Sequence, residues 1–171
     1  PGDQGLGAVA VVFELPRHRL VRPHGQVRGN GLEGLNTGHL VDADAALAIW
    51  EEAHTADPHD GPPVWVHGDL EGNCLVRDDR LAAVIDWGSA CAGDPAVDVQ
   101  AVWSELFTDG SRQVFVDLLD VDDATLARSR GAAVHQACAA LPYYLETSPL
   151  IVRRSLGKLA ALGIAVTLPS A

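Results

Sequence analysis

The stretch VWVHGDLEGNCLVRDDRLAAVIDWGSACAGDPAVD, Val64 to Asp98, decides how the rest of the chain is read. Asp69, Asn73, Asp86, Asp94 and Asp98 stand there among Val, Leu, Ala and Gly. Polar groups wedged between short apolar runs are costly to bury and mark a site. Val64–Val66 reads as a short strand. Cys74–Arg77 and Arg80–Ile85 read as a hairpin closed by Asp78 and Asp79, a two-residue turn. In that register Arg77 faces Arg80, Leu75 faces Ala82 and Asn73 faces Val84. Side chains alternate along a strand, so Asn73, Val84 and Asp86 share a face. Asn73 and Asp86 become diagonal neighbours, roughly 7–8 Å apart. Asp69 lies in the turn just before them. Three oxygen donors then converge, a set that suits a hard cation such as Mg²⁺. A one-residue slip would move the set to the other face.

An amide and a carboxylate on a metal, with a second carboxylate left free, fit phosphoryl transfer. The free Asp orients and deprotonates an attacking hydroxyl while the other two hold Mg²⁺ against phosphates. Metal-dependent phosphate hydrolysis uses similar residues, but two-metal sites need more ligands, commonly histidines. The other histidines here follow no such spacing.

Outward from this segment the pattern is helical. Asp42 caps a helix over Ala43–Thr55, with Leu47, Trp50 and His54, beside Ala46 and Ala53, as its buried stripe. Asp57–Pro63 ends it. Asp94-Pro95 opens a helix with Val99, Val102, Trp103 and Leu106 inward. Ser111–Leu119 reads as a shorter helix burying Val114, Phe115, Leu118 and Leu119. A third begins at Asp122 or Asp123 and runs to Leu141, where Pro142 kinks or ends it. Ser148-Pro149 opens the last helix, carrying Val152, Leu156 and Leu159. Lys158, the only lysine in the chain, reads as a solvated surface charge, and Glu71 as a solvated loop charge. Tyr143 and Tyr144 fit either a pocket wall or core packing. Glycines punctuate residues 1–38, where Ala8–Leu15 is strand-like and the rest reads as an irregular or remnant segment. Residues 39–171 form one domain of mostly helical α+β class.

The totals exclude some functions. The chain has 171 residues and a formal charge of −11, which argues against a general nucleic-acid binder. The longest apolar run, Leu159 to Leu168, is too short to span a bilayer. Three cysteines without metal spacing imply free thiols in a reducing, cytoplasmic setting. The chain has no methionine, as expected of a processed start or a piece of a longer protein.

VHGDLEGNCLVRDDRLAAVIDWGSACAGDPAVDVQ resembles the catalytic segment of the aminoglycoside phosphotransferase and choline-kinase-like family. The order H-G-D, Asn, a hairpin ending I-D-W, then G-D-P-x-x-D is that family's signature. The resemblance runs from about Val41 to Leu162 and includes ALPYY at Ala140 to Tyr144. It implies the C-terminal lobe of a protein-kinase-like fold, with a small hairpin bearing the site. It implies ATP as phosphoryl donor, Mg²⁺, and a small-molecule alcohol as acceptor, with a cationic aminoglycoside favoured by the acidic charge. By it Asp69 is the catalytic base, and Asn73 and Asp86 are the metal ligands. His67 orders the loop and Asp98 braces it from the following helix. Two features depart from the family. Asp69 and Asn73 are four apart where five is usual. The 66 residues before His67 hold no lysine, so the N-terminal nucleotide-binding lobe is expected to be absent. The alternative is therefore a truncated or degenerate lobe that serves at most as a binding module. An uncovered lobe face would also favour self-association.

Overall fold

The computed structural model describes residues 40–168, so the expectations for residues 1–38 lie outside the described residues. Helix α1 is Ala43–Thr55, and Asp42 caps it through the Ala45 N–H at 3.1 Å. Four short strands follow: β1 Val64–Val66, β2 Cys74–Arg77, β3 Arg80–Val84 and β4 Cys91–Gly93. The rest is helical: α2 Ala96–Val99 continued by a 3₁₀ turn to Trp103, α3 Asp109–Leu118, α4 Asp123–Tyr144 and α5 Pro149–Ala161. The class is α+β and mostly helical, with two separate antiparallel strand pairs, β1 with β4 and β2 with β3. No helix among the described residues is long and apolar enough to cross a membrane.

Helix α4 is the axis of the described residues, packed by α1 on one side and α5 on the other. Asp122 caps it through the Thr125 N–H at 2.5 Å. Its Ala133, Val134, Ala137, Cys138 and Leu141 meet Ala46 and Ile49 of α1 and Leu159 of α5 in one core. Gly131 lets α1 approach: a Cβ there would collide with the side chain of Ala53. Leu40–Asp42 is stitched beside Ala165–Thr167. Val41 bridges Val166, the Asp42 N–H donates to the Ala165 carbonyl at 2.9 Å, and the Thr167 N–H to that of Leu40 at 2.7 Å.

Several sequence expectations are corrected. In α1 the buried residues are Ala46 and Ile49, while Leu47 and His54 are exposed. The stripe sits one position away because α4, at Gly131, meets the Ala53 side of the helix. Helix α3 starts at Asp109 through a Thr108–Ser111 capping box, and it buries no residue fully. Val114, Leu118 and Leu119 are exposed on it, because no element among the described residues covers that face. Leu106 is exposed too. Helix α4 does not stop at Pro142 but passes through it to Tyr144. Leu141 and Cys138, fully buried just before the proline, hold the helix in register past the lost hydrogen bond.

The hairpin turn follows the sequence, with Asp78 and Asp79 both at positive φ, 51° and 58°, as a type I′ turn needs. The register then shifts. Arg77 pairs with Arg80 and Val76 with Leu81, but Leu75 pairs with Ala83 and Cys74 with Val84. Ala82 is the extra residue of a bulge. Asn73 therefore stands opposite Ile85, whose N–H donates to the Asn73 carbonyl at 2.9 Å. The diagonal placement of Asn73 against Asp86, derived from an unbroken ladder, does not hold.

Candidate active site

The loop from His67 to Asn73 follows β1 and is fixed from three sides. From α2, Asp98 spreads its carboxylate over two successive backbone donors, His67 N–H at 2.6 Å and Gly68 N–H at 2.8 Å. Charged acceptors on backbone N–H groups are among the stronger hydrogen bonds. Gly68 has φ +83°, and a Cβ on it would lie 3.0 Å from the Ser89 carbonyl oxygen, so the turn needs glycine. His67 itself is 2% exposed. Its Nδ1 accepts the Asp69 N–H at 3.2 Å, which leaves Nε2 to donate to the Ile85 carbonyl at 2.8 Å. Trp87 meets the ring edge-on, 4.8 Å between centroids.

This histidine links two parts of the site. Ile85 is held by His67 through its carbonyl and by Asn73 through its N–H, and Asp86 is the next residue. Asp86 takes a left-handed conformation, φ 60° and ψ 61°, at the start of the Trp87–Ser89 turn. Its side chain caps nothing there. A non-glycine residue in that region is uncommon and tends to occur at functional sites.

Asp69 and Asn73 are in direct contact. Asn73 Nδ2 donates to the Asp69 carbonyl at 2.7 Å and to Asp69 Oδ2 at 3.3 Å. The four-residue spacing thus closes into a tight turn, helped by the Asn73 N–H to Leu70 carbonyl bond at 3.1 Å. With the amide nitrogen engaged, the Asn73 Oδ1 atom is the end left for a cation. Asp86 is not joined to the pair by any side-chain hydrogen bond. Among the described residues no group of three or more His, Cys, Asp or Glu side chains is placed to hold a metal ion. Of the three predicted residues, Asp69 and Asn73 are in contact, and Asp86 is exposed with no side-chain hydrogen bond to either.

Other predicted features fall into place with changed partners. Asp94 accepts from the Ala96 N–H at 2.9 Å and pairs with Arg128 Nε at 2.7 Å. Arg128, which no motif marked, also donates to Thr125 Oγ1 and to the Asp57 carbonyl, tying α4 to α2 and to the end of α1. Tyr143 is 75% exposed, so it does not serve the core. It lines, with Trp50, His54, His135 and Tyr144, an open groove of about 960 Å³ that no residue of the 67–73 loop enters. Cys74 follows Asn73, but partial desolvation and then the charge of Asp98 push its thiol up, away from thiolate chemistry.

Two residues were misread from sequence. Lys158 is not a surface charge but is 2% exposed, and Glu71 is not solvated but pairs with it, Nζ to Oε2 2.6 Å. Lys158 Nζ also donates to Gln136 Oε1. The signal was present in sequence as a lone lysine between Ser155 and Leu159, on the face of α5 that turns inward.

A model of the phosphotransferase enzyme family (APH) matches residues 17–136, more than half of the chain. The chain belongs to that family. No curated protein and no solved structure matches. Family membership covers β1–β4, the 67–73 loop, Asp86 and Asp98, and it stops within α4.

Proposed function

We propose that this chain carries the reacting loop of an ATP-dependent small-molecule kinase, which moves a γ-phosphoryl group to a hydroxyl. The observation that carries the reading is the Asn73–Asp69 contact beside a braced backbone. It sets an exposed carboxylate and a half-buried amide side by side on one turn. Asp69 accepts the proton of the acceptor hydroxyl and orients its oxygen. His67 and Asp98 hold the loop backbone so that this carboxylate keeps its place.

The donor set fits Mg²⁺: an amide oxygen from Asn73 and a carboxylate from Asp86 are both hard oxygen ligands. When bound, Mg²⁺–ATP supplies the phosphoryl group and neutralises its charge. The exposure of Asp86 leaves its side chain free to turn toward that complex. The acidic balance of the chain favours a cationic acceptor such as an aminoglycoside.

Calorimetry on the whole chain tests this directly. Mg²⁺–ATP is expected to bind, and Asp86→Ala to weaken binding tenfold or more. Asp69→Asn is expected to keep nucleotide binding and abolish transfer. Heat absent at millimolar nucleotide would defeat the reading. The exposure of Asp86, with no side-chain bond to Asp69 or Asn73, favours a second reading, a lobe that binds acceptor or partner without transfer. Its mark would be acceptor binding without any nucleotide heat.

A further inference from the structure

The lysine buried against the loop has no role in the reaction as described. Lys158 is the only lysine in the chain, and it is nearly inaccessible. Burying an ammonium costs several kcal/mol unless it is fully paired. It meets two partners, Glu71 Oε2 and Gln136 Oε1. An ammonium has three donors, so one N–H remains. Two buried acceptors nearby are also unpaired: Glu71 Oε1 and Gln100 Oε1. All of these groups line one cavity of about 10 Å³ with Asp69, Leu70 and Asp98. That is about the room one water needs. A water accepting from Lys158 and donating to Glu71 and Gln100 would satisfy all three groups.

We propose that Lys158 is a positioning residue for the Asp69–Asn73 loop, acting through Glu71 and one buried water shared with Gln100. Glu71 lies midway between the two site residues, so fixing its carboxylate fixes the turn from beneath. Asp98 holds the same loop at its entrance. Helix α5 is rigid where Lys158 leaves it, because Ser155 and Leu159 on either side are buried. A second α5 cation abuts the loop one turn earlier. A Cβ on Gly72, at φ +87°, would collide with the Arg154 guanidinium, so the loop and α5 touch there without a side chain between them. The shortened turn lies on α5, and Lys158 is its deepest anchor.

The proposal rests on reading that loop as the reacting one, but its test uses no nucleotide. Amide hydrogen exchange is followed in the ¹⁵N-labelled whole chain. Lys158→Met is expected to speed exchange at Asn73, whose N–H bonds to Leu70 within the loop, by roughly tenfold or more. Val134 and Cys138 in α4 are expected to hold their rates. Glu71→Gln keeps the shape and a neutral hydrogen bond, so a rise of a few fold is expected. The pair Glu71→Met with Lys158→Met removes both buried charges. Its melting temperature is expected to recover toward the parent while Asn73 stays fast. Loop protection returning together with the melting temperature would reduce the pair to packing and overturn the proposal. So would unchanged Asn73 exchange in Lys158→Met, or equal acceleration in loop and α4. Missing Mg²⁺–ATP binding would remove the functional reading while leaving this exchange pattern to stand or fall by itself.

Discussion

The 67–73 loop and the β2–β3 hairpin carry the two halves of the candidate site, and the protein supports them differently. The loop rests on buried His67 and Lys158 of α5 and on half-buried Asp98 of α2. Almost every hairpin residue is exposed, including Val76 at 67% and Leu81 at 63%. Asp86, at its end, is tied in through its neighbours, the backbone of Ile85 and the ring of Trp87. Loop geometry is thus set by the helical core, whereas hairpin geometry is set by its own turn and bulge. The loop bearing Asp69 and Asn73 is braced by the core, and the hairpin end bearing Asp86 is exposed. Under the proposed reading both halves are needed, so what the hairpin meets would decide whether the site is complete.

The contrast is open to attack by substitution. The largest effect belongs to the core beneath the loop. Leu141→Ala, at a fully buried position of α4, is expected to cost about 3 kcal/mol in urea unfolding. Leu81→Ala on the hairpin is expected to cost less than about 0.5 kcal/mol. Equal costs would mean the hairpin is buried in solution. Next comes Asp98→Ala, which strips the carboxylate from two backbone donors and is expected to cost about 2–3 kcal/mol. Asp86→Ala is expected to be within about 0.5 kcal/mol of the parent in the same assay. If the two carboxylates weigh alike in unfolding, the distinction between braced and unbraced halves fails.

A smaller effect concerns association. The hairpin and the turn after it expose Leu75, Val76, Leu81, Ile85 and Trp87 together, a candidate contact surface. Val76→Lys with Leu81→Lys is expected to leave unfolding unchanged and to lower any self-association seen by sedimentation velocity. The smallest effect is electrostatic. The Thr125 N–H, bonded to the carboxylate of Asp122 at the start of α4, holds it below its usual range. A depressed carboxylate contributes stability above its unfolded value, and that contribution is lost as pH falls through the folded one. Asp122→Asn is expected to keep the cap but flatten this acid-side slope. Asp122→Ala is expected to cost about 1 kcal/mol at neutral pH.

What the sequence made legible was local. Asp42 and Asp122 announce helix starts through their capping side chains, Pro149 through its place in the first turn of α5, and Asp78-Asp79 announces its turn. Those signals act over a few residues, so α1, the start of α4, α5 and the hairpin could be read directly. The strand Cys91–Gly93 carries no such signal, because pairing with Val64–Val66 creates it. The bulge at Ala82 has no side-chain marker either, and it alone undoes the parity that placed Asn73 against Asp86. Lys158 and Glu71 were each read as solvated because their partner lies far away in sequence, and only tertiary packing joins them. The family motif located Asp69, Asn73 and Asp86, but the contact between the first two and the left-handed backbone of the third belong to the fold.

The stitching of Leu40–Asp42 to Ala165–Thr167 has a consequence for how this fold can be rewired. The two segments already lie side by side as a miniature ladder, so the described part of the chain is close to a ring. Joining these segments by a short flexible linker costs little closure entropy. New ends can then be opened elsewhere, for instance at the exposed Asp78-Asp79 turn. Such a circular permutant would keep the helical core intact while cutting the hairpin at its tip. It would release the strand before Asp86 from the strand after Asn73, and so show whether their joining turn sets the distance between the two residues.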